Sequence, residues 1–185
     1  CLVQPEINAQ AANAMLAHYD QSVEHLLPKW SFYGTETWCM IGNHAVSVLA
    51  DMMVKDIKGF DYKRAYEAMK TTVMNRHYDC MYEYDQLGWV PFNLEKESVS
   101  KTLEYAYDDY CMARAAQKLG LTEDYKYFLN RSLSYQNLID PQTKYMRGRD
   151  DKGAWRTPFA GHPSTGFGAT TAGNARARSL TAVTR

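Results

Sequence analysis

Residues 97–120 read ESVSKTLEYAYDDYCMARAAQKLG, and the fold turns on how this stretch is read. Stepped at the helical period, Val99, Leu103, Ala106, Tyr110, Ala113 and Gln117 fall in one stripe that is apolar except at its end. Ser98 is suited to cap the start of such a helix, and Gly120 to end it. Its middle carries Glu104, Asp108 and Asp109, with Asp109 at the edge of the stripe and Asp108 opposite. Glu104 and Asp108 stand one turn apart, a like-charge pair that destabilises an isolated helix unless a cation or donor lies between them. Two readings stay open. The acids face water or pair with bases, Lys101 serving Glu104, or they line a polar pocket at the mouth of a helical fold.

Outward from this helix, other periodic segments appear. Ile7, Ala11, Met15, Leu16, Tyr19, Val23 and Leu26 predict a first helix behind Pro5 that stops before Pro28. A second is predicted over residues 38–58, with Gly59 as its C-terminal cap. A third opens on Asp61 as cap and ends near Asn75. Residues 76–97 lose the period and predict a long loop, of the kind that tends to carry function. A fifth segment starts at Thr122 and ends by Asp140 and Pro141. Successive helices without alternating strands predict an all-α stack of helical hairpins.

Lys plus Arg and Asp plus Glu number 21 each, so net charge gives no case for nucleic acid or an anionic membrane. No apolar run is long enough to span a bilayer. Cys1, Cys39, Cys80 and Cys111 lie far apart, which indicates neither a zinc site nor a disulfide framework and predicts buried free thiols. The compositional oddity is aromatic: 14 Tyr and 4 Trp. Rings with an apolar face and a polar tip suit saccharides, and they suit helix packing equally.

Six blocks, VQPEINAQ, LPKW, ETWCMIGNHAVSVLAD, GWVPF, SVSKTLEYAYDDY and YMRGRDDKGAWRTPF, occur in order over residues 2–159. Together they resemble glycoside hydrolase family 92, the calcium-dependent exo-acting α-mannosidases. The resemblance implies that residues 1–159 are part of an (α/α)6 toroid. It also implies hydrolysis of terminal α-mannosides with inversion, one carboxylic acid protonating the leaving oxygen while a carboxylate activates water across the ring. Calcium is implied as cofactor, its ligands mostly outside this chain, and α-mannoside glycans, N-glycans among them, as substrates. A secreted, periplasmic or cell-surface location is implied with them.

Beyond Phe159 the composition shifts to Gly, Ala, Thr, Ser and Arg, which predicts a disordered tail over residues 160–185. A local frame error is the other reading, since the codons for residues 167–173 read one base out of frame can spell the Trp-Gly-Asp-Tyr segment the family carries here. The family's general acid is the Glu of a following Glu-Gly-Asn-Ala element. Ala172 stands in its place before Gly173, Asn174 and Ala175 and cannot donate a proton. The chain is therefore expected to be a central piece of the catalytic domain, without a catalytic residue or metal ligand of its own, and not competent for hydrolysis alone.

What this piece is expected to supply is pocket wall. Glu36, Met40 and His44 are spaced by four and share a face if the second helix starts early, and Asp109 and Asp108 join them as substrate-binding candidates. Arg147, Arg149 and Trp155 are available to a pocket as well. The alternative from another class is a helical-hairpin interaction module without catalysis. Residues 107–141 have a tetratricopeptide-like pattern, but residues 5–70 show no repeat of the same period.

Overall fold

The computed structural model describes residues 4–159, so Ala172 and the rest of the 160–185 tail lie outside the described residues. The elements in order are α1 (Pro5–Gln21), the strands β1 (Ser31–Phe32) and β2 (Thr35–Glu36), α2 (His44–Val54), α3 (Tyr62–Val73), α4 (Met81–Leu87), α5 (Ser98–Leu119), α6 (Thr122–Arg131) and a 3-10 helix, Ser132–Leu138. β1 and β2 form one antiparallel hairpin with Ser31 opposite Glu36 and Phe32 opposite Thr35. The all-α expectation holds, with this hairpin as the one named sheet among the described residues.

Two compact units divide the chain, residues 1–75 with 104–132 and residues 76–103 with 133–185. In the first, α1, α2 and α3 pack on one another. Leu16, Val46, Leu49, Met52, Met53, Ala68 and Met69 fill the space between them, and Met112, Ala113, Ala115, Ala116 and Phe128 are buried with them. The alanines at 113, 115 and 116 of α5 are fully buried. Asp61 caps α3 as expected, its carboxylate accepting from Lys63 N and Arg64 N. Tyr66 Oη and Lys70 Nζ both donate to Asp124 and so tie α3 to α6.

The second unit centres on Val99, Leu138 and Met146, flanked by Trp89, Leu103, Tyr135 and Ile139. Lys101 is buried there and donates to Asp79 at 2.6 Å and Glu95 at 2.7 Å, so its partners are these acids and not Glu104. Arg149 is sandwiched between the rings of Trp89 and Trp155, 5.3 and 4.1 Å from their centroids. Arg147 pairs with Asp140 at 2.9 Å. These arginines and Trp155, which the sequence left available to a pocket or to an ordinary charged turn, hold this unit's own turns together.

Several boundaries move. The second helix starts at His44 and stops at Val54, well inside the predicted 38–58 span. The predicted loop at 76–97 contains α4, closed by Gly88. The fifth segment breaks into α6 and the 3-10 helix at Ser132. Along α5, Tyr110 of the predicted stripe is exposed, while Tyr105, Asp108 and Met112 on other faces are buried. A helix surrounded on most sides has no single apolar stripe, and the period loses its power to say which side is in. The thiols differ too: among the described residues Cys111 is buried, Cys80 half-buried and Cys39 exposed, all free.

Candidate functional site

The candidate site lies in the first unit, where the segment 29–44 meets the middle of α5. Its base is Glu36. The carboxylate accepts backbone N–H groups from Lys29 at 2.7 Å, Trp30 at 3.1 Å, Thr37 at 2.9 Å and Trp38 at 3.2 Å. Thr37 Oγ1 adds a bond to the Trp30 carbonyl at 2.8 Å. A carboxylate so engaged fixes the path of the chain at both feet of the hairpin. Glu36 therefore acts first as an internal clamp.

This clamp also explains why no helix begins before His44. The Thr37 and Trp38 amides are given to Glu36, and Trp38 and Gly42 both have positive φ, 57° and 73°. The expected common helical face of Glu36, Met40 and His44 is thus corrected: Glu36 is in β2, Met40 in the connecting loop, and His44 alone in α2. Gly42 has a second constraint. A Cβ there would stand 3.0 Å from Glu104 Cβ and 3.1 Å from His44 Cε1. Gly42→Ala is expected to lose about 1–3 kcal/mol of stability, from the left-handed backbone and the contact together; an unchanged urea midpoint would show that the turn relaxes freely.

Behind Gly42, the amide of Asn43 donates to Asp108 Oδ2 at 2.7 Å. Asp108 is wholly buried. Burial pushes its carboxyl up to about 8; the Asn43 N–H opposes the shift, the charges of Asp109 and Glu104 add to it, and Lys29 opposes it. Asp108 Oδ1 and Asn43 Nδ2 are buried with no hydrogen-bond partner among the described residues. At the rim, His44 Nδ1 stands 3.8 Å from Glu104 Oε2, their side chains 42% and 34% exposed. The donor that the Glu104–Asp108 pair requires is therefore present: the first turn of α2 sits against both acids.

Asp109, adjacent in sequence, faces elsewhere. Its carboxylate takes a two-pronged grip from Arg131, Nε to Oδ2 at 2.8 Å and Nη2 to Oδ1 at 2.6 Å. Nη2 of Arg131 also donates to the Val73 carbonyl at 3.0 Å. With Asp109 and Arg131 1% and 8% exposed, this pair joins α3, α5 and α6 and leaves Asp109 no surface to offer a ligand. The structure thus brings Asp108, His44 and the loop bearing Met40 together, keeps Glu36 as their support, and separates Asp109 from them.

Sequence reasoning missed Gly42, Asn43, Lys29 and Arg131. A Gly-Asn-His run directly before an apolar helix was a usable signal for the first two. Arg131 is as far beyond Gly120 as Asp109 is before it, which is the register of an antiparallel helical hairpin. Lys29 gave no signal; its ammonium is placed over the rings of Trp38 and Tyr105, at 5.4 and 5.9 Å, by the tertiary fold alone.

The profile of the glycosyl hydrolase family 92 catalytic domain matches residues 1–183. A family 92 α-mannosidase from Bacteroides thetaiotaomicron, solved in complex with mannoimidazole, is 73% identical over 89% of this chain with a TM-score of 0.86. An inverting family 92 mannosidase from Bacteroides thetaiotaomicron VPI-5482 is 34% identical over 85% of this chain with a TM-score of 0.80. The chain spans only 22% of the length of each. An uncharacterized secreted glycosidase from Arthroderma benhamiae is 32% identical over 126 residues, 59% of this chain and 16% of that protein. The family match takes in both halves of the tetratricopeptide-like stretch, so the helical hairpins are those of an (α/α)6 glycosidase toroid. With a profile match over nearly its whole length and the same fold as solved members, the chain belongs to glycosyl hydrolase family 92.

Proposed function

We propose that the full-length protein removes terminal α-linked mannose from glycans by an inverting mechanism, and that this chain supplies one wall of the sugar pocket. The observation that carries the reading is the 73% identity, over 89% of the chain, to an α-mannosidase that binds mannoimidazole. The geometry supports it: the exposed edges of His44 and Glu104 offer a donor and an acceptor to sugar hydroxyls. Asp108, kept in its neutral acid form by burial, steadies the first turn of α2 beneath them.

Inversion needs an acid and a base on opposite faces of the ring. We place neither among the described residues; Ala172 stands where the resemblance puts the family's acid, and activity of the full-length protein rests on the frame-error reading that restores a Glu there. The 185-residue chain by itself is therefore proposed to be inactive. Calcium belongs to the proposal for the full-length protein. Its ligands are proposed to lie mostly outside this chain, and no step here runs through it; among the described residues no three or more His, Cys, Asp or Glu side chains gather into one group. A secreted, periplasmic or cell-surface location is supported by the relative named as a secreted glycosidase. No helix among the described residues is long and apolar enough to cross a membrane.

The test is hydrolysis of an aryl α-mannoside and an α-mannobioside by the full-length protein, with the released anomer followed by proton NMR. β-Mannose appearing first supports the reading; α-mannose first, or no cleavage, overturns it. His44→Ala and Glu104→Gln are each expected to lower kcat/KM about ten- to hundredfold, the loss of one charge-assisted hydrogen bond, with little change in melting temperature. Unaltered kinetics in both would remove this wall from the pocket.

A further inference from the structure

The hairpin in front of the candidate site has an outward face that the site itself does not use. Its register puts Trp30 and Phe32 on one side of the ribbon, with Thr35 across from Phe32. Thr37, held to the Trp30 carbonyl through its hydroxyl, continues the same side. All four are exposed, Trp30 at 58% and Phe32 at 63%. The opposite side is engaged: Ser31 Oγ bonds His18 Nε2 at 3.1 Å, and Glu36 holds the amides named above. At the tip, Tyr33 and Gly34 have φ of 53° and 82°, the backbone of a tight two-residue turn. Tyr33 is 93% exposed and meets Phe32 edge-on, centroids 4.4 Å apart.

Large rings exposed together on a two-stranded ribbon need a reason, because such a ribbon has little stability of its own. Here the Glu36 clamp supplies the rigidity, so the rings are held out in a fixed position. The ligand chemistry that fits an indole, a phenyl ring and adjacent hydroxyls on one face is a pyranose, apolar across its C–H face and polar at its rim. Location supports the same occupant. Trp30 directly follows Lys29, whose ammonium covers Trp38 and Tyr105 and acts electrostatically on Asp108. The second strand of the hairpin leads directly into the loop that carries Gly42 and Asn43 to the candidate site.

We propose that the Trp30–Phe32 face of the hairpin is a platform for the sugar units that follow the terminal mannose in an oligosaccharide substrate. It rests on the mannosidase reading and deepens it: the platform sets the preference for extended glycans over small mannosides. A ring already fixed in place loses little freedom on binding, which is what makes a clamped hairpin effective in this role.

The experiment compares wild-type full-length protein with W30A/F32A and the conservative W30F/F32Y, using α-mannotriose and an aryl α-mannoside. Affinity is read by calorimetry wherever no cleavage occurs. The double alanine variant is expected to lose about ten- to hundredfold in kcat/KM on the triose. The loss should fall mainly in KM, with the aryl mannoside unaffected and W30F/F32Y close to wild type. Equal loss on both substrates would overturn the proposal and show that the face packs against another part of the protein. No loss on either overturns it outright. If the wild type cleaves neither sugar but binds the triose better than the aryl mannoside, and W30A/F32A abolishes that preference, the platform stands and the hydrolase reading fails.

Discussion

Replacing Asp109 by alanine is expected to destabilise the protein by about 3–5 kcal/mol, because it strands a buried guanidinium. Arg131 sits where α3, α5 and α6 meet. It is held by Asp109 at 2.6 and 2.8 Å, by the Val73 carbonyl at 3.0 Å, and by cation–π contact with Tyr127 and Phe128. Without the carboxylate the remaining partners do not neutralise the charge. Arg131→Lys should also be poorly tolerated, since a single ammonium cannot serve both carboxylate oxygens in a planar fork. Replacing both residues with apolar groups of similar volume is expected to cost far less than either single alanine change, because nothing charged is then left buried. The measurement is the shift in urea midpoint across the set. A change below about 1 kcal/mol in Asp109→Ala would place this pair with surface ion pairs of little consequence.

Asp108 gives the second large effect, and its sign is opposite to that of an ordinary salt-bridged carboxylate. Its native carboxyl is pushed up to about 8, chiefly by burial, whereas in the unfolded chain it titrates near the ordinary carboxylate value of 3.8. Between those values the native state holds a proton that the unfolded state has released, so stability falls as pH rises. The contribution is fully present below about pH 4 and lost through about pH 8, with an upper limit on the order of 5 kcal/mol. The groups acting on this carboxyl are the Asn43 amide and the charges of Asp109, Glu104 and Lys29. Asp108→Asn is neutral at every pH and keeps an oxygen for the Asn43 N–H. It is expected to flatten this descent and to melt above wild type at pH 8, with the difference shrinking steadily and vanishing toward pH 4. Melting temperatures of both proteins from pH 4.5 to 8.5 decide it: parallel curves would mean that Asp108 is ionised in the fold.

The same neighbouring pair shows how far a sequence can be read. Both aspartates were visible as acids in the middle of a helix, and the need for a donor between Glu104 and Asp108 followed from their spacing alone. Which of the two faces the candidate site did not. Adjacent residues on a helix point about 100° apart, and when a helix is buried on most sides both directions lead to protein. Asp109 met Arg131 and Asp108 met the amide of Asn43, contacts across 22 and 65 residues of sequence. No local pattern carries that information. Glu36 was singled out for its type and spacing, yet its amide partners exist only because the chain turns back as a hairpin. The helical register that would have joined it to His44 is prevented by those bonds.

Local physics, therefore, determined several of the elements but not all of their bounds. Capping at Asp61, the stop at Gly120, the all-α class and the acids and aromatics available for a sugar pocket follow from side-chain chemistry acting within a turn or two of its own backbone. The tertiary structure alone decided which acids are paired, which is held neutral, and that Trp30 and Phe32 stand outward on a clamped ribbon. The reason is that burial and charge pairing are set by groups distant in sequence, and only the folded chain brings them within hydrogen-bonding distance.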